Sequence, residues 1–346
     1  MTDNPLVYVV VVNFNGWHHT IECLEGLYRQ GYTHFKVIVI DNASMDGSVE
    51  MLRAWAEGRL DIYKDPHNPL RAYCIPPISK PLRYGNFMPQ EPLKLSESGL
   101  ALVVSKKNLG FAGANNLGIS LALSDPLCRY IWLLNNDTVV SRDALTALVK
   151  KAEDSQRQDK MVGMIGSKLL YYHAPHRLNA VGGRYYKWVG MPRQIGMMEI
   201  DKGQYNKYKP KIDYIVGASM FVSRDFILAV GPMAEDYFLY YEELDWVLKG
   251  RHKGWAIALC PDSVVYHKEG ATIGSNKGKR ERSSTTDYYV FRNRILFTRR
   301  FYPYCLVTVI ISSVVAILIK GFKGNLWAML RGFWDGLCNK SGAIDV

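Results

Sequence analysis

The chain has 346 residues, of which 48% are hydrophobic, and it carries a formal net charge of +11 at pH 7. This length exceeds that of a typical single domain, so we expect one large domain with an appendage, and the composition excludes a disordered chain. Eight basic residues but only two acidic ones lie between Asn276 and Arg300. This concentration of charge favours an anionic partner, whether nucleic acid, anionic lipid or a diphosphate.

Six cysteines lie at positions 23, 74, 128, 260, 305 and 338, and no two of them have the close spacing of a zinc or redox motif. We therefore expect reduced thiols in the core of a cytoplasmic protein. An apolar run begins as early as Leu6, without the basic segment, apolar segment and small-residue cleavage site of a secretory leader. We therefore expect no signal peptide.

Residues 1–63 alternate between strand and helix patterns. "LVYVVVVNFN" and "FKVIVIDNAS" are continuous apolar, β-branched runs, which predict parallel strands covered on both faces, and both end in polar residues. "HHTIECLEGLYRQG" and "SVEMLRAWAEG" place apolar residues at helical spacing, and Gly31 is a suitable stop for the first helix. The alternation predicts right-handed crossovers and a ligand at the carboxyl ends of the strands.

Residues 64–99 interrupt this alternation. They contain seven of the fifteen prolines and show little periodicity. Because proline disfavours both helix interiors and central strands, we interpret this segment as a proline-rich surface insertion. It is either a lid over a site or a decoration of the fold, and we favour the decoration.

Residues 100–270 resume the alternation. The strand "LALVVS" and the helix "GFAGANNLGISLAL" precede the strand "YIWLLNNDTVV", and Ser141 is expected to cap a helix that runs through Ala152. Three strands now end in polar residues that can face one crevice, at 11–15, 38–43 and 133–138. Neither GxGxxG nor GxxxxGK[ST] occurs. The pattern therefore predicts a nucleotide site that uses neither phosphate loop, with Asp41 placed to accept hydrogen bonds from the nucleoside.

The last part of the chain is apolar and then amphipathic. No residue from Phe301 to Ile319 is charged, which is near the lower limit of the ~17–25 residues that span a bilayer. The following "GFKGNLWAMLRGFWDGL" combines basic and aromatic residues at helical spacing, as in interfacial helices. We favour contact with one membrane surface, and the alternatives are a single span or a helix pair packed on the rest of the chain.

Six segments occur in the order seen in a known family: "VVVVNFNG", "VIVIDNASMDGSVEML", "NLGFAGANNLGI", "WLLNNDTVV", "VGASMFVSR" and "YFLYYEELDWVLKGRHKGW". Together, over roughly residues 5–295, they resemble the family 2 inverting glycosyltransferases and more closely their rhamnosyltransferase-type branch. The resemblance implies an α/β fold of the GT-A type: a doubly wound, mostly parallel central sheet flanked by helices. It implies a catalytic domain over 1–270, including the 64–99 insertion, and a basic and apolar helical C-terminal region over 271–346.

The resemblance also implies an activity and its location. The enzyme would move a sugar from a nucleoside-diphosphate sugar to a hydroxyl of a glycan or a polyprenyl-diphosphate-linked acceptor in cell-surface polysaccharide synthesis. A dTDP-linked deoxysugar such as rhamnose is the expected donor, followed by UDP sugars. The expected location is cytoplasmic, on the inner face of the cell membrane.

The polar ends of the predicted strands and the resemblance to the family together indicate which residues form the donor site. Asp137 and His267 are the expected ligands of Mg²⁺ or Mn²⁺, which would neutralise the charge on the leaving diphosphate. Asn135 stands where the family often has an acid. A turn followed by a helix cap is the alternative interpretation of "NNDTVVSRD". The expected nucleotide-sugar-binding residues are Asn13, Asn15, Asp41, Asn42, Ser44, Asn108, Gly110, Phe111, Asn115, Asn135 and Asn136.

The acidic segment "YYEELDW" matches the family position of the catalytic base. Glu243 is the expected base, and Glu242 or Asp245 could take this role instead. The alternative is an acidic first turn stabilised by the helix dipole. The expected acceptor-binding residues are Gly217, Ala218, Asp245 and Trp188. For Trp188, within "GGRYYKWVG", an ordinary aromatic hairpin is an equal alternative.

Two rival interpretations remain. The pI of 9.2 and the segment "DYYVFRNRILFTRRFY" suggest a nucleic-acid-binding protein, but no helix-turn-helix, zinc or RNA-recognition signature occurs, so we expect no nucleic-acid partner. A catalytically inactive binding module with the same fold is the other rival. The sequence leaves the oligomeric state open.

Overall fold

The computed structural model describes residues 4–60, 68–87, 99–207, 210–269, 283–320 and 325–344. Its strands are β1 Leu6–Asn13, β2 Phe35–Asp41, β3 Tyr84–Phe87, β4 Leu100–Val104, β5 Cys128–Asn135, β6 Thr138–Val140, β7 Val162–Tyr171, β8 Ala174–Ala180, β9 Gly183–Tyr186, β10 Met191–Gln194, β11 Ser219–Ser223 and β12 Ala256–His267. The main sheet has the order β3-β4-β2-β1-β5-β11-β7-β12-β6, and β8 pairs with β7. Strands β9 and β10 form a separate antiparallel hairpin.

Helices cover both faces of the main sheet. They are α1 Trp17–Leu27, α2 Ser48–Ala56, α3 Gly110–Leu123, α4 Ala144–Arg157, α5 Gln204–Lys207, α6 Arg224–Val230, α7 Glu242–His252, α8 Ser284–Phe301, α9 Leu306–Lys320 and α10 Leu326–Leu337. Val9 of β1 packs into a core with α1, α2 and α4, whereas Val10 packs into a core with α3, α6 and α7. Burial on both faces explains the continuous apolar runs and confirms the doubly wound fold.

The register of the sheet brings three strand ends to one edge. β1 is parallel to β2 and to β5, with Asn13 opposite Asp41 and Val12 opposite Asn135. The carboxyl ends of these three strands therefore lie side by side at one edge of the sheet, where ligands bind in folds of this kind. The sheet becomes mixed beyond β5, because β11 is antiparallel to both β5 and β7.

The expected cap of α4 is wrong. The helix begins at Ala144 and runs to Arg157, and Asp143 occupies the N-cap position without a capping side-chain bond. Ser141 instead contributes its carbonyl oxygen, which accepts from the Ala144 N–H at 3.1 Å and from Gln30 Nε2 at 2.7 Å. A turn therefore separates β6 from the helix.

The insertion lies partly outside the described residues, which cover 68–87 of it. Its described part packs on α1 and α2 and adds β3 as an edge strand parallel to β4. A buried ion pair anchors it, because Lys80 Nζ lies 2.7 Å from Glu25 Oε1, which also accepts from Trp55 Nε1 at 2.9 Å. The described part of the insertion therefore packs across α1 and α2.

The described part of the basic stretch, 283–300, is largely not the surface patch that its charge suggested. Arg292 and Arg294 are 1% and 3% exposed, and both donate to backbone carbonyls. Arg299 donates to the carbonyls of Gly336 and Leu337 at the end of α10. The arginines of α8 therefore hold the C-terminal helices to the fold, and the remaining basic residues, 277–282, lie outside the described residues.

The C-terminal helices pack closely on one side and are apolar on the other. A Cβ at Gly332 of α10 would lie 2.3 Å from the carbonyl oxygen of Tyr288 in α8, so only glycine allows this approach. On the outer side, Leu318 is 63% and Trp327 is 84% exposed. In the part of the chain that the structure describes, none of the helices combines the length and apolar character needed to cross a bilayer.

Candidate active site

The first corner of the site joins the ends of β1 and β2. The Asn13 amide donates to Asp41 Oδ2 at 2.8 Å and to Ser44 Oγ at 3.1 Å, and the Ser44 N–H donates to Asp41 Oδ1 at 3.0 Å. Asn15 closes the corner, since its N–H donates to Ser44 Oγ and its Oδ1 accepts from the Met45 N–H. Four residues predicted to bind the nucleotide sugar, Asn13, Asn15, Asp41 and Ser44, are thus brought together, and Asp41 supplies the buried carboxylate.

The end of β5 joins this corner through a residue that the sequence did not single out. The buried Thr20 hydroxyl donates to Asn13 Oδ1 at 2.6 Å and accepts from Asn136 Nδ2 at 3.1 Å. Asn136 is therefore a buried orienting residue behind the corner. Asn135 is only partly buried, which leaves its amide near the crevice.

A second corner consists of the end of β2 and the start of α3. Asn42 donates to Asn108 Oδ1 at 2.9 Å and accepts from the Leu109 N–H at 2.8 Å, and Asn108 Oδ1 also accepts from the Gly110 N–H. Gly110 has φ +71°, and a Cβ there would lie 2.4 Å from the carbonyl oxygen of Phe238. Glycine is therefore required at this position both by its backbone angle and by the close approach.

Phe111 links the residues predicted to bind the nucleotide sugar to two other segments, one at Phe238 and one at Gly217. Its N–H donates to the Phe238 carbonyl at 2.8 Å, and its ring lies 3.2 Å from where a Cβ of Gly217 would be. The adjacent Ala218 accepts through its carbonyl from the Asn135 N–H at 3.1 Å. By contrast, Asn115 is buried and its amide bonds the Phe111 carbonyl within α3, so it supports the helix.

Asp137 and His267 meet where β6 and β12 pair. His267 Nε2 lies 3.3 Å from Asp137 Oδ1, and Asn179 Oδ1 lies 3.3 Å from His267 Nδ1 behind it. Burial acts to raise the pKa of Asp137, but the charges of His267, His19 and Lys268 outweigh it and hold that pKa below its ordinary value. Burial acts to lower the pKa of His267, yet Asp137 raises it above its ordinary value.

These two residues fit a divalent cation only if other ligands complete its shell. Among the described residues, no cluster of three or more His, Cys, Asp or Glu side chains is placed to hold a metal ion. One buried carboxylate and one imidazole are nevertheless consistent with a hard cation that takes its remaining ligands from substrate phosphate oxygens and water. Asp137 and His267 therefore fit a metal shared with a diphosphate.

The acidic pair opens α7, immediately after an unusual loop. Burial raises the pKa of Glu243 to about 7, and burial together with the charge of Glu243 raises the pKa of Glu242 well above its ordinary value. Glu242 is buried, and its Oε2 atom has no hydrogen-bond partner within the described ranges. Glu243 is partly exposed. Two adjacent carboxylates thus share the start of this helix, and neither has a cationic partner in the part of the chain that the structure describes.

The other two predicted acceptor residues lie elsewhere. Asp245, on the same helix, is fully buried and is bound by Arg300 Nη1 at 2.7 Å, Lys249 Nζ at 2.7 Å and the Tyr237 hydroxyl at 3.1 Å. Trp188 lies in the loop of the β9–β10 hairpin, with its ring centroid 6.1 Å from that of Tyr304. Neither side chain is brought to the strand ends that carry the donor residues.

Three buried polar residues that contact the site were not among the residues predicted from the sequence. Thr20 and Asn179 are fully buried polar residues, and each bonds a predicted site residue. Asn293 is an uncharged polar residue between two arginines of α8, where a surface helix would favour a better helix former. A polar residue in an otherwise apolar or charged helix is the signal that could have identified it.

Comparison with known proteins agrees with this geometry. The model of the family described as Glycosyl transferase family 2 matches residues 8–71 and 90–228, more than half of the chain. The low-salt glycan biosynthesis hexosyltransferase Agl10 of Haloferax volcanii is 22% identical over 268 residues, which is 71% of this chain and 78% of that protein.

Two solved structures share the fold. The mannosyltransferase PcManGT from Pyrobaculum calidifontis, in complex with GDP-Man and Mn²⁺, has a TM-score of 0.53 and 15% identity, covering 98% of this chain and 89% of that one. GalNAc-T7 with UDP, GalNAc and Mn²⁺ has a TM-score of 0.57 and 13% identity, covering 97% of this chain and 58% of that one. The chain belongs to glycosyl transferase family 2, and it is a glycosyltransferase with a GT-A-type fold.

Proposed function

We propose that this glycosyltransferase moves a sugar from a nucleoside-diphosphate sugar to an acceptor hydroxyl with inversion at the anomeric carbon, and that Glu243 is the general base. The observation that carries this proposal is the position of Glu243, a partly exposed carboxylate on the first turn of α7, and burial raises the pKa of this carboxyl to about 7. A base whose pKa lies near the working pH is both ionised and basic enough to accept a proton. The Phe111–Phe238 hydrogen bond ties this helix start to the donor residues.

In the proposed step, the acceptor oxygen attacks the anomeric carbon on the face opposite the diphosphate, and its proton passes to Glu243. The bond between the anomeric carbon and the diphosphate oxygen breaks, and the nucleoside diphosphate leaves. Burial and the charge of Glu243 raise the pKa of Glu242 well above its ordinary value, which favours its protonated form. With a pKa of about 7, Glu243 is about half ionised at neutral pH and supplies the negative charge of the pair.

The donor site consists of the two asparagine-rich corners. Asp41, oriented by Asn13 and Ser44, accepts hydrogen bonds from the nucleoside, and the Asn42–Asn108 pair lines the sugar side. We propose dTDP-rhamnose as the donor, with a UDP sugar as the alternative. The support is the order of the six segments, which resembles the rhamnosyltransferase-type branch.

Asp137 and His267 would hold a divalent cation, Mg²⁺ or Mn²⁺, together with the diphosphate. When bound, the cation supplies positive charge that stabilises the leaving diphosphate. Asn179 fixes the ring of His267 from behind. With Asn135 in place of a second acid, the site offers one carboxylate fewer, so we expect metal affinity to depend strongly on bound nucleotide.

The acceptor is proposed to be a glycan or a polyprenyl-diphosphate-linked sugar at the inner face of the cell membrane, in cell-surface polysaccharide synthesis. The support is the exposed apolar side of α9 and α10, which includes Ile311 at 58% and Trp334 at 63% exposed. Contiguous apolar surface of this kind marks a membrane or protein contact. Gly217 and Ala218, beside Phe111, are the proposed acceptor-side backbone.

The donor proposal is tested by thermal unfolding with a panel of nucleoside diphosphates, each with and without Mn²⁺. A ligand that binds only the native state raises the melting temperature. We expect a metal-dependent rise with dTDP, lost in Asp137→Ala and kept in Glu243→Gln. If no nucleotide raised the melting temperature, the donor site would be wrong.

The membrane proposal is tested by co-sedimentation with vesicles of phosphatidylcholine, with and without phosphatidylglycerol. We expect wild-type protein to bind and Trp327→Ser to bind less. Leu228→Ser is the control, because Leu228 is also exposed, at 63%, but lies on α6. Equal binding of the two variants would count against α10 as the contact.

A further inference from the structure

The loop before the proposed base has an unfavourable backbone. Phe238, Tyr240 and Tyr241 have positive φ angles of 64°, 70° and 78°, and none of them is glycine. Side chains with a Cβ rarely adopt this region, so surrounding contacts must hold the loop in place. Because α7 begins at Glu242, this loop also sets the direction in which the acidic pair leaves it.

The contacts come from α8. Asn293 is fully buried, and its Nδ2 lies 2.9 Å from the carbonyl oxygen of Tyr237, 2.7 Å from that of Leu239 and 3.0 Å from that of Tyr240. One amide group thus holds three carbonyls of four consecutive residues. The two N–H groups of this amide are shared among the three carbonyl oxygens, which would otherwise be buried with fewer donors.

The orientation of that amide is itself fixed. Asn293 Oδ1 accepts from Arg292 Nε at 2.9 Å, so Nδ2 must face the loop. Arg292 Nη2 also donates to the Tyr237 carbonyl at 2.7 Å, and its guanidinium lies 4.8 Å from the centroid of the Tyr289 ring. The Tyr289 ring in turn stacks on Phe238 with centroids 5.2 Å apart.

The opposite side of the loop contacts the donor segment. The Phe238 carbonyl accepts from the Phe111 N–H, and Gly110 allows the two backbones to approach. The loop is therefore held between α8 on one side and the start of α3 on the other. Any movement of it would shift both the start of α7 and the contact to Phe111.

We propose that Asn293 is a positioning residue for the transfer reaction: its amide holds the 237–241 loop so that Glu243 faces the acceptor beside the donor site. This inference rests on the proposed role of Glu243. It assigns the C-terminal helices a part in catalysis that is distinct from membrane contact. Asn293 touches neither substrate, and it acts through the loop.

The test compares Asn293→Asp, Asn293→Ser and Thr298→Val in the full-length protein. Asn293→Asp keeps the shape of the side chain and removes both of its N–H donors. Asn293→Ser keeps one hydrogen-bond donor, and it replaces the aspartate variant in the test if that variant does not fold. Thr298→Val is the matched control, because Thr298 is equally buried on α8, but its hydroxyl donates to the Arg294 carbonyl within the helix and lies 3.4 Å from the Tyr185 hydroxyl, outside the 237–241 loop.

Two measurements separate positioning from general stability. In hydrogen–deuterium exchange without ligand, we expect amides of 238–243 to exchange at least tenfold faster in Asn293→Asp, with β1, β2 and β5 unchanged. With dTDP-rhamnose as the probe, we expect kcat for nucleotide release to fall at least tenfold and the donor KM to stay within twofold. Asn293→Ser should be intermediate, and Thr298→Val should match wild type.

Unchanged exchange of 238–243, or equal acceleration in every strand, would overturn the proposal. A raised donor KM at unchanged kcat would also overturn it. Glu243→Gln is measured alongside as a separate reference. If Glu243→Gln turned over like wild type, the base assignment would fail, while the exchange data would still decide whether Asn293 holds the loop.

Discussion

The raised pKa of Glu243 has a consequence for stability as well as for catalysis. A carboxyl whose pKa is higher in the folded state than in the unfolded state binds its proton more tightly when folded. Its contribution to stability is therefore fully present below the unfolded pKa of 4.5 and is lost as the pH rises towards about 7. Glu243→Gln stays neutral at every pH and should remove this loss.

The size of the effect follows from the shift. An increase from 4.5 to about 7 corresponds to about 3 kcal/mol of unfolding free energy at about 1.4 kcal/mol per pKa unit. Glu243 is partly exposed, so water screens part of this penalty, and we expect about 1–2 kcal/mol. Glu243→Gln should therefore be more stable than wild type by that amount at pH 8 and nearly equal to it at pH 4.

Urea unfolding at pH 4, 6 and 8 measures this difference. Asp245→Asn is the matched control on the same turn of α7, because Asp245 is bound by Arg300 and Lys249. We expect that variant to be destabilised at pH 6 and 8. A Glu243→Gln protein that is no more stable than wild type at pH 8, or one that retains wild-type turnover, would refute the reasoning.

The other predictions test separate contacts. Gly110→Ala should abolish turnover and cost at least about 1–2 kcal/mol in urea unfolding, because a left-handed backbone disfavours a Cβ and the Phe238 carbonyl lies 2.4 Å from it. Asp137→Ala should lower nucleotide affinity at least tenfold in the presence of Mn²⁺ and little without metal, measured by calorimetry. Arg300→Ala should cost about 2 kcal/mol by urea unfolding, because it leaves the buried Asp245 with one cation fewer. The wild-type rate of transfer should rise with pH up to about 7 and then level off, since Glu243 must be ionised; a flat profile from pH 5 to 8 would contradict it.

The sheet and the strand-end crevice could be predicted because local patterns fix them. Continuous β-branched runs predict covered parallel strands, and parallel strands bring their carboxyl ends to one edge. This reasoning predicts that Asn13, Asp41 and Asn135 lie near one another, and the registers of β1 with β2 and β5 place them at the same edge of the sheet. The predicted helix start at Ser141 was wrong because several turn-forming residues precede Ala144, and local propensity does not choose among them.

The C-terminal region was harder to predict because its contacts are distant in sequence. A count of charges cannot distinguish an arginine in water from one whose N–H groups bond buried carbonyls. Arg292 and Arg294 are of the second kind, and their partners lie about 55 and 105 residues away. The same distance hides Asn293, whose three carbonyl partners precede it by more than fifty residues.

The first turn of α7 shows how these distant contacts bear on the chemistry. In sequence, Glu242, Glu243 and Asp245 are three acids within one helical turn, and each could serve as a base. Arg300 of α8 binds Oδ2 of Asp245 and Lys249 Nζ lies 2.7 Å from its Oδ1, so two cations balance its charge. Among the described residues the two glutamates have no such partner, and burial raises their pKa values. The proposed base is therefore one of the two acids that α8 does not pair with a cation, and the same helix holds the loop that precedes α7.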